Sequence, residues 1–189
     1  ADVTMQRGDT RRHERMKVYY ATHSTTTDNE AEIASGWNDV ELSKTGRRQA
    51  GDLGRWFRDI SLDLICVSDL RRAVDTARIA FGEALPVVVD ARLREINYGD
   101  LNGAPRSVVD EHRIPSIREP FPGGESYEEA IARTQAFYHE LVDRDPSRTV
   151  LVIGHGATHQ ALLALTSGRS IRALLEEPFV WQPYWEYGL

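Results

Sequence analysis

Sulfur is scarce: among 189 residues there are one cysteine and two methionines. The lone Cys66 has no partner for an internal disulfide, which excludes a fold stapled by cystines and fits a reducing compartment. Long apolar runs are missing as well. Nothing approaches the ~18 to 20 consecutive apolar residues that a membrane-spanning helix requires. The opening stretch ADVTMQRGDTRRHER holds no hydrophobic block of the kind a secretion signal carries. The expected setting is cytoplasmic, with no membrane partner. Positive charge is in deficit, with 23 Lys and Arg against 29 Asp and Glu and a net charge of −6. Such a balance gives no general attraction to nucleic acid or anionic lipid, so an anionic ligand has to be caught by a local pocket. The sequence also lacks internal repeats, low-complexity tracts and a dividing linker, which leaves one domain as the expectation.

What is present is enough apolar material, 41% of the residues, for one packed core. Four short runs rich in β-branched or aromatic residues predict buried strands: KVYYA (17–21), LDLICV (62–67), LPVVV (85–89) and TVLVIG (149–154). Cys66 falls inside the second as a core residue. Helical spacing separates the runs. It is clearest over 127–142, where Ala130, Ile131, Thr134, Phe137, Tyr138 and Leu141 recur at three- and four-residue intervals. The opposite, polar face carries Glu128, Glu129, Arg133 and Glu140, and Ser126 is placed as the N-cap with the two glutamates in the first turn. A second helix is expected over about 45–59, burying Ala50, Leu53, Trp56 and Phe57, and a third begins near Leu70. Strands alternating with helices predict an α/β fold: a single-domain three-layer sandwich with a mostly parallel central sheet and helices on both faces.

The segment 99–125 breaks this pattern. Pro105, Pro115, Pro120 and Pro122 with Gly99, Gly103, Gly123 and Gly124 leave room for short helical turns only, as in a cap or lid inserted into a domain spanning 16–189. Residues 1–15 read as a polar, flexible N-terminal arm, because Arg7, Arg11, Arg12, His13 and Arg15 follow no pattern. The aromatic tail FVWQPYWEYGL is a candidate last strand, confined to an edge or bulge by Pro183.

In an open α/β sheet, ligands bind beyond the carboxyl ends of the strands, so the residues that follow each run form the candidate site. They are His23 after the first run, Ser68 and Arg72 after the second, Glu95 after the third, and His155, within Gly154-His155-Gly156, after the fourth. Two imidazoles, a guanidinium and a carboxylate at one rim suit phosphoryl transfer. That chemistry needs an in-line nucleophile, cationic donors on the equatorial oxygens and an acid for the departing oxygen.

Several blocks in one order resemble the histidine phosphatase superfamily, the phosphoglycerate-mutase-like group, from about residue 17 onward. Thr22-His23-Ser24-Thr25-Thr26 with Asn29 stands where the family has Arg-His-Gly-Glu-Thr and an Asn. Gly36-Trp37-Asn38-Asp39 and Leu42-Ser43-Lys44-Thr45-Gly46 resemble the following loop and helix. Ser68-Asp69-Leu70-Arg71-Arg72-Ala73-Val74-Asp75-Thr76-Ala77 is similar to Ser-x-Leu-x-Arg-Ala-x-Gln-Thr-Ala, with Asp75 where Gln is usual. Leu93-Arg94-Glu95, Gly123-Gly124-Glu125-Ser126 and Val152-Ile153-Gly154-His155-Gly156 complete the series. The resemblance implies a phosphoglycerate-mutase-like fold and a phosphohistidine at His23. It further implies Arg72 and His155 on the nonbridging oxygens and Glu95 as acid and then base. Substrate contacts are expected from Thr22, Ser24, Asn29, Ser68, Gly156 and Ala157. No metal and no cofactor is implied; the expected partner is a small phosphorylated molecule, and the oligomeric state stays open, a homodimer included.

The departures lie beside the nucleophile. Thr22 replaces an arginine whose planar fork binds two phosphate oxygens, and Ser24 replaces a glycine. An uncompensated loss of such a contact costs roughly 2.7 to 4 kcal/mol, or about a hundredfold to a thousandfold in rate. Arg71, Arg94 or Arg106 would compensate by swinging in. Three readings follow: a phosphatase or phosphotransferase, an enzyme doing acid–base chemistry on a non-phosphate substrate, and a non-catalytic binding protein. His155 and His159 have the spacing of a zinc pair, but the HExxH glutamate and a third ligand are missing, so His159 is assigned to the pocket wall or to packing.

Overall fold

The computed structural model describes residues 15–189; except for Arg15, the expected N-terminal arm lies outside the described residues. The strands are β1 (Lys17–Thr22), β2 (Ile33–Ala34), β3 (Leu64–Val67), β4 (Val87–Val89), β5 (Ala104–Pro105), β6 (Thr149–Gly154) and β7 (Trp185–Gly188). The α-helices are α1 (Thr27–Glu30), α2 (Lys44–Trp56), α3 (Arg71–Phe81), α4 (Arg106–Arg113), α5 (Tyr127–Arg144), α6 (Gly156–Ser167) and α7 (Ile171–Glu176). The main sheet has the order β4-β3-β6-β1-β7, parallel throughout except for the antiparallel edge strand β7. A strand alternates its side chains between faces, so one apolar run serves two cores. Val18 and Tyr20 of β1 pack with Phe137 and Tyr138 of α5 and Leu162 of α6. Tyr19 and Ala21 pack with Leu53 of α2 and with Ala73 and Ala77 of α3 on the other face. The result is the three-layer α/β sandwich. Cys66 is fully buried in β3, and burial pushes its thiol up to about 12.

Helix α5 buries all six residues of the predicted stripe, together with Tyr127. Ser126 and Glu129 close a reciprocal capping box at its start. Arg133, on the polar face as expected, turns inward, 19% exposed, against the loop that carries Glu95.

Several corrections have local causes. The run LPVVV is not a buried strand, because β4 is the sheet edge, with Val87 and Val89 43% and 52% exposed and only Val88 packed inward. Helix α2 stops at Trp56, which is exposed, while Phe57 at the C-cap takes the core position against Tyr19. The segment 99–125 holds the two-turn helix α4, longer than expected, because Pro105 sits at its N-cap and Pro115 beyond its end, where neither ring breaks a helical hydrogen bond. Val109 and Phe121 anchor this segment to Ile96, Tyr127 and Ala157 in a third core. The tail pairs only from Trp185 to Gly188, which leaves Pro183 outside the ladder. Among the described residues no helix is long and apolar enough to cross a membrane.

Candidate active site

Strands β3, β6 and β1 are neighbours, and the register pairs Val67 with Ile153 and Thr22 with Gly154. The residue after each strand therefore emerges at the same rim: Ser68, His155 and His23. The two imidazoles lie with ring centroids 5.1 Å apart. His23 extends the ladder through its backbone N–H to the Gly154 carbonyl (2.9 Å), and its Nδ1 is 2.8 Å from the Ser24 carbonyl. A carbonyl only accepts, so Nδ1 carries the proton and Nε2 keeps its lone pair. Burial, reinforced by the nearby Arg72 cation, pushes the His23 pKa down to about 3, which leaves the ring neutral at neutral pH.

His155 is 1% exposed, with Nε2 2.7 Å from Ser68 Oγ. That oxygen also accepts the Leu70 N–H (3.3 Å); when it donates its own hydrogen to Nε2, the imidazole proton lies on Nδ1. Nδ1 is buried and has no partner among the described residues. Burial and then the Arg72 charge hold the His155 pKa well below the ordinary histidine value.

Arg72, 2% exposed at the first turn of α3, donates to the carbonyls of Gly36 (2.7 Å) and Asn38 (3.0 Å). Gly36 has φ +53°, and a Cβ there would collide with the Asn102 side chain, so the acceptor position requires glycine. Among the described residues no carboxylate is ion-paired with Arg72. A buried cation without a carboxylate gains from an incoming anion.

Glu95 reaches the same rim by a different route. Its Oε1 accepts the backbone N–H groups of Ile96 (2.9 Å) and Ala157 (3.0 Å), and its Oε2 that of Gly156 (3.0 Å). The carboxylate thus covers the N-terminus of α6. Its backbone carbonyl is held by Trp37 Nε1 (2.7 Å) and Arg133 (3.0 Å). The Gly156 and Ala157 amides, expected to face substrate, are therefore engaged by Glu95.

Thr22, His23, Ser24, Asn29, Arg72, Glu95 and Gly156 line one cleft of about 660 Å³. Asn29 Oδ1 accepts the Thr26 N–H (3.0 Å) in a capping box, which leaves its amide nitrogen for the cleft. Ser68, His155 and Ala157 are buried and do not line the cleft; of these Ser68 is corrected, because its hydroxyl contacts His155 rather than a ligand. Of the three arginines offered as substitutes for the missing one, only Arg106 lines the cleft. Arg71 is paired with Asp75 and Glu41, and Arg94 grips Asp69 (2.6 Å) while lying over the Trp37 ring. Arg113 and Arg169 also line the cleft and were not singled out; no local pattern marks them. The Nε2 atoms of His155 and His159 go to separate hydroxyls, those of Ser68 and Tyr187 (2.7 Å each), and among the described residues no three His, Cys, Asp or Glu side chains are grouped to hold a metal ion.

This chain belongs to the histidine phosphatase superfamily (branch 1), whose family pattern matches residues 18–179. Among its relatives is the uncharacterized phosphatase PhoE of Bacillus subtilis, 33% identical over 152 residues that cover 80% of this chain and 77% of that one. A 2,3-bisphosphoglycerate-dependent phosphoglycerate mutase of Cytophaga hutchinsonii is 32% identical, covering 75% of this chain and 72% of the mutase. Two solved structures share the fold. YhfR of Bacillus stearothermophilus superposes with a TM-score of 0.80 at 28% identity, covering 89% and 88% of the two chains. A mycobacterial glucosyl-3-phosphoglycerate phosphatase, solved with VO3, gives 0.74 at 32% identity, covering 85% and 86%. The fold is thus phosphoglycerate-mutase-like, and the family supports a phosphatase-like activity.

Proposed function

We propose that the protein hydrolyses small phosphate monoesters through a phosphohistidine at His23. The observation that carries this reading is the His23–Arg72–His155 cluster, which among the described residues has a neutral imidazole with Nε2 free, a buried guanidinium with no ion-paired carboxylate, and a buried His155 Nδ1 with no partner. In the first step His23 Nε2 attacks phosphorus in line while the P–O ester bond breaks. Arg72 and the His155 Nδ1–H neutralise the equatorial oxygens, and Glu95 gives its proton to the departing oxygen. To present that proton the Glu95 carboxyl releases one of its backbone contacts. Water then attacks the phosphohistidine, Glu95 takes its proton, and phosphate leaves. The segment 99–125 forms the cap of this site, with Arg106, Val109, Asp110 and Arg113 as its wall.

The test is turnover of an aryl phosphate together with trapping of an acid-labile phosphoenzyme. His23→Ala should abolish both; a variant that keeps turnover overturns the reading. One observation favours acid–base chemistry on a non-phosphate substrate instead: Thr22 brings no charge to the rim where the family has arginine. Thr22→Arg separates the two. A phosphatase limited by that missing charge gains at least tenfold in rate, whereas a site adapted to a neutral ligand loses its native activity.

A further inference from the structure

Four large apolar side chains of the cleft lining stand exposed: Trp56 (39%), Phe179 (67%), Val180 (69%) and Trp181 (54%). Three are consecutive in the tail and the fourth ends α2, so two distant segments contribute to one wall. The indoles of Trp56 and Trp181 lie 6.1 Å apart, and Phe179 meets Trp185 at 6.3 Å. Exposed apolar surface gathered in one place is unfavourable unless something covers it, and in a cleft that is a ligand.

The charges are distributed to match. Of the other cleft arginines, Arg169 is neutralised by Glu177 (2.6 Å) and Arg113 lies near Asp110 (3.9 Å), whereas Arg72 is ion-paired with no carboxylate among the described residues. One cleft therefore offers both a buried cation without an ion-paired carboxylate among the described residues and an aromatic surface. Its volume of about 660 Å³ falls within the range of clefts that hold drug-sized ligands, roughly 300 to 1,000 Å³, and exceeds what a bare three-carbon phosphate needs.

We propose that the Trp56–Phe179–Trp181 wall is the leaving-group subsite, and that the substrates are phosphate monoesters with an apolar, planar organic part rather than short polar sugar or glycerol phosphates. The inference rests on the phosphatase reading for its chemistry, but its binding component stands apart. The Trp56 and Trp181 rings are too close to sandwich a third ring, so the organic part lies against them edge or face on, as aromatic pairs do at 4.5 to 7 Å.

The experiment compares 1-naphthyl phosphate with glycerol 3-phosphate in the wild type and in Phe179→Ala/Trp181→Ala. The wild type should favour the naphthyl ester at least tenfold in kcat/KM. The double variant should lose that preference through KM for the naphthyl ester, with a much smaller change on glycerol 3-phosphate. Equal use of both esters by the wild type, or an equal fall on both in the variant, overturns the proposal. Binding of 1-naphthyl phosphate to His23→Ala, followed by quenching of indole fluorescence, isolates the subsite from the chemistry. If the wild type turns over neither ester but binding persists and is lost with Phe179 and Trp181, the subsite stands and the phosphatase reading falls; no binding overturns the subsite. Sedimentation closes the remaining route: a dimer that the double variant turns into monomers means that a second copy covers the wall, which also overturns the proposal.

Discussion

Ser68→Ala removes one oxygen that touches no ligand, yet it should alter both stability and rate. Ser68 is fully buried and His155 is 1% exposed, so water cannot replace the hydroxyl. The His155 Nε2 contact at 2.7 Å disappears, and so does the longer bond from the Leu70 amide at 3.3 Å. A buried acceptor left unpaired costs about 1 to 3 kcal/mol, and the longer bond contributes less, so a loss of about 2 kcal/mol is expected. For a chain of this size that lowers Tm by roughly 4 to 8 °C. The rate effect has a separate cause. In the proposed mechanism the Ser68 hydroxyl keeps the imidazole proton on Nδ1, so without Ser68 the proposed donor to a phosphate oxygen is lost for part of the time. Removing such a donor completely costs about a hundredfold to a thousandfold, so partial loss should lower kcat by roughly tenfold to a hundredfold, less than His155→Ala. Thermal denaturation and steady-state hydrolysis of an aryl phosphate measure the two effects, and nitrogen-15 NMR of the ring reports the tautomer. Ser68→Cys, which keeps a weak donor, should fall between. A lowered Tm with unchanged kcat would refute the tautomer argument, because the hydroxyl would then be structural only.

Glu95→Gln should divide substrates by leaving group in the phosphorylation step: kcat/KM for an alkyl phosphate falls at least a hundredfold and that for an aryl phosphate, whose phenolate departs without a proton, less than tenfold, while the shared hydrolysis of the phosphohistidine slows for both. Because an amide oxygen cannot accept all three N–H groups now held by the carboxylate, Tm should also drop, by a loss of about 1 to 2 kcal/mol. Acid should destabilise the fold through His159, whose pKa burial pushes down to about 4. The unfolded chain binds this proton at 6.5 and the folded one does not. Stability from His159 is therefore complete above pH 6.5, falls between 6.5 and 4, and totals about 3 kcal/mol. Denaturant titrations across that window should show the slope in the wild type and a shallower one in His159→Phe.

The helices and central strands were legible because their signals are local. The stripe of α5 and the Ser126 cap depend only on residues a few positions apart, and β1, β3 and β6 carry uninterrupted apolar runs. The run at 85–89 looks the same as these, yet β4 is an edge strand; burial of a strand depends on which strands flank it, and that order is not written in its own residues. Trp56 failed for a related reason. At the last position of a helix the choice between two adjacent aromatics is decided by the opposing surface, here Tyr19, which takes Phe57.

The candidate site divides along the same line. His23, Arg72, Glu95 and His155 follow strands or sit in ordered blocks, so their place at one rim was legible. What each of them does there depends on partners far away in the chain. Ser68 looked like a ligand contact until the adjacency of β3 and β6 set it behind His155. The amides of Gly156 and Ala157 looked free until the loop after β4 brought Glu95 onto them. Arg133 illustrates the limit most sharply, because helical periodicity placed it only on the polar face. A guanidinium on that face turns inward because the loop from Arg92 to Glu95 presents three carbonyls and Glu125 a carboxylate, giving one cation four acceptors that no neighbouring residue could signal. Polar residues at the boundary of a helix face are therefore assigned by the acceptors that tertiary structure brings to them, and in this molecule those acceptors belong to the backbone that carries Glu95.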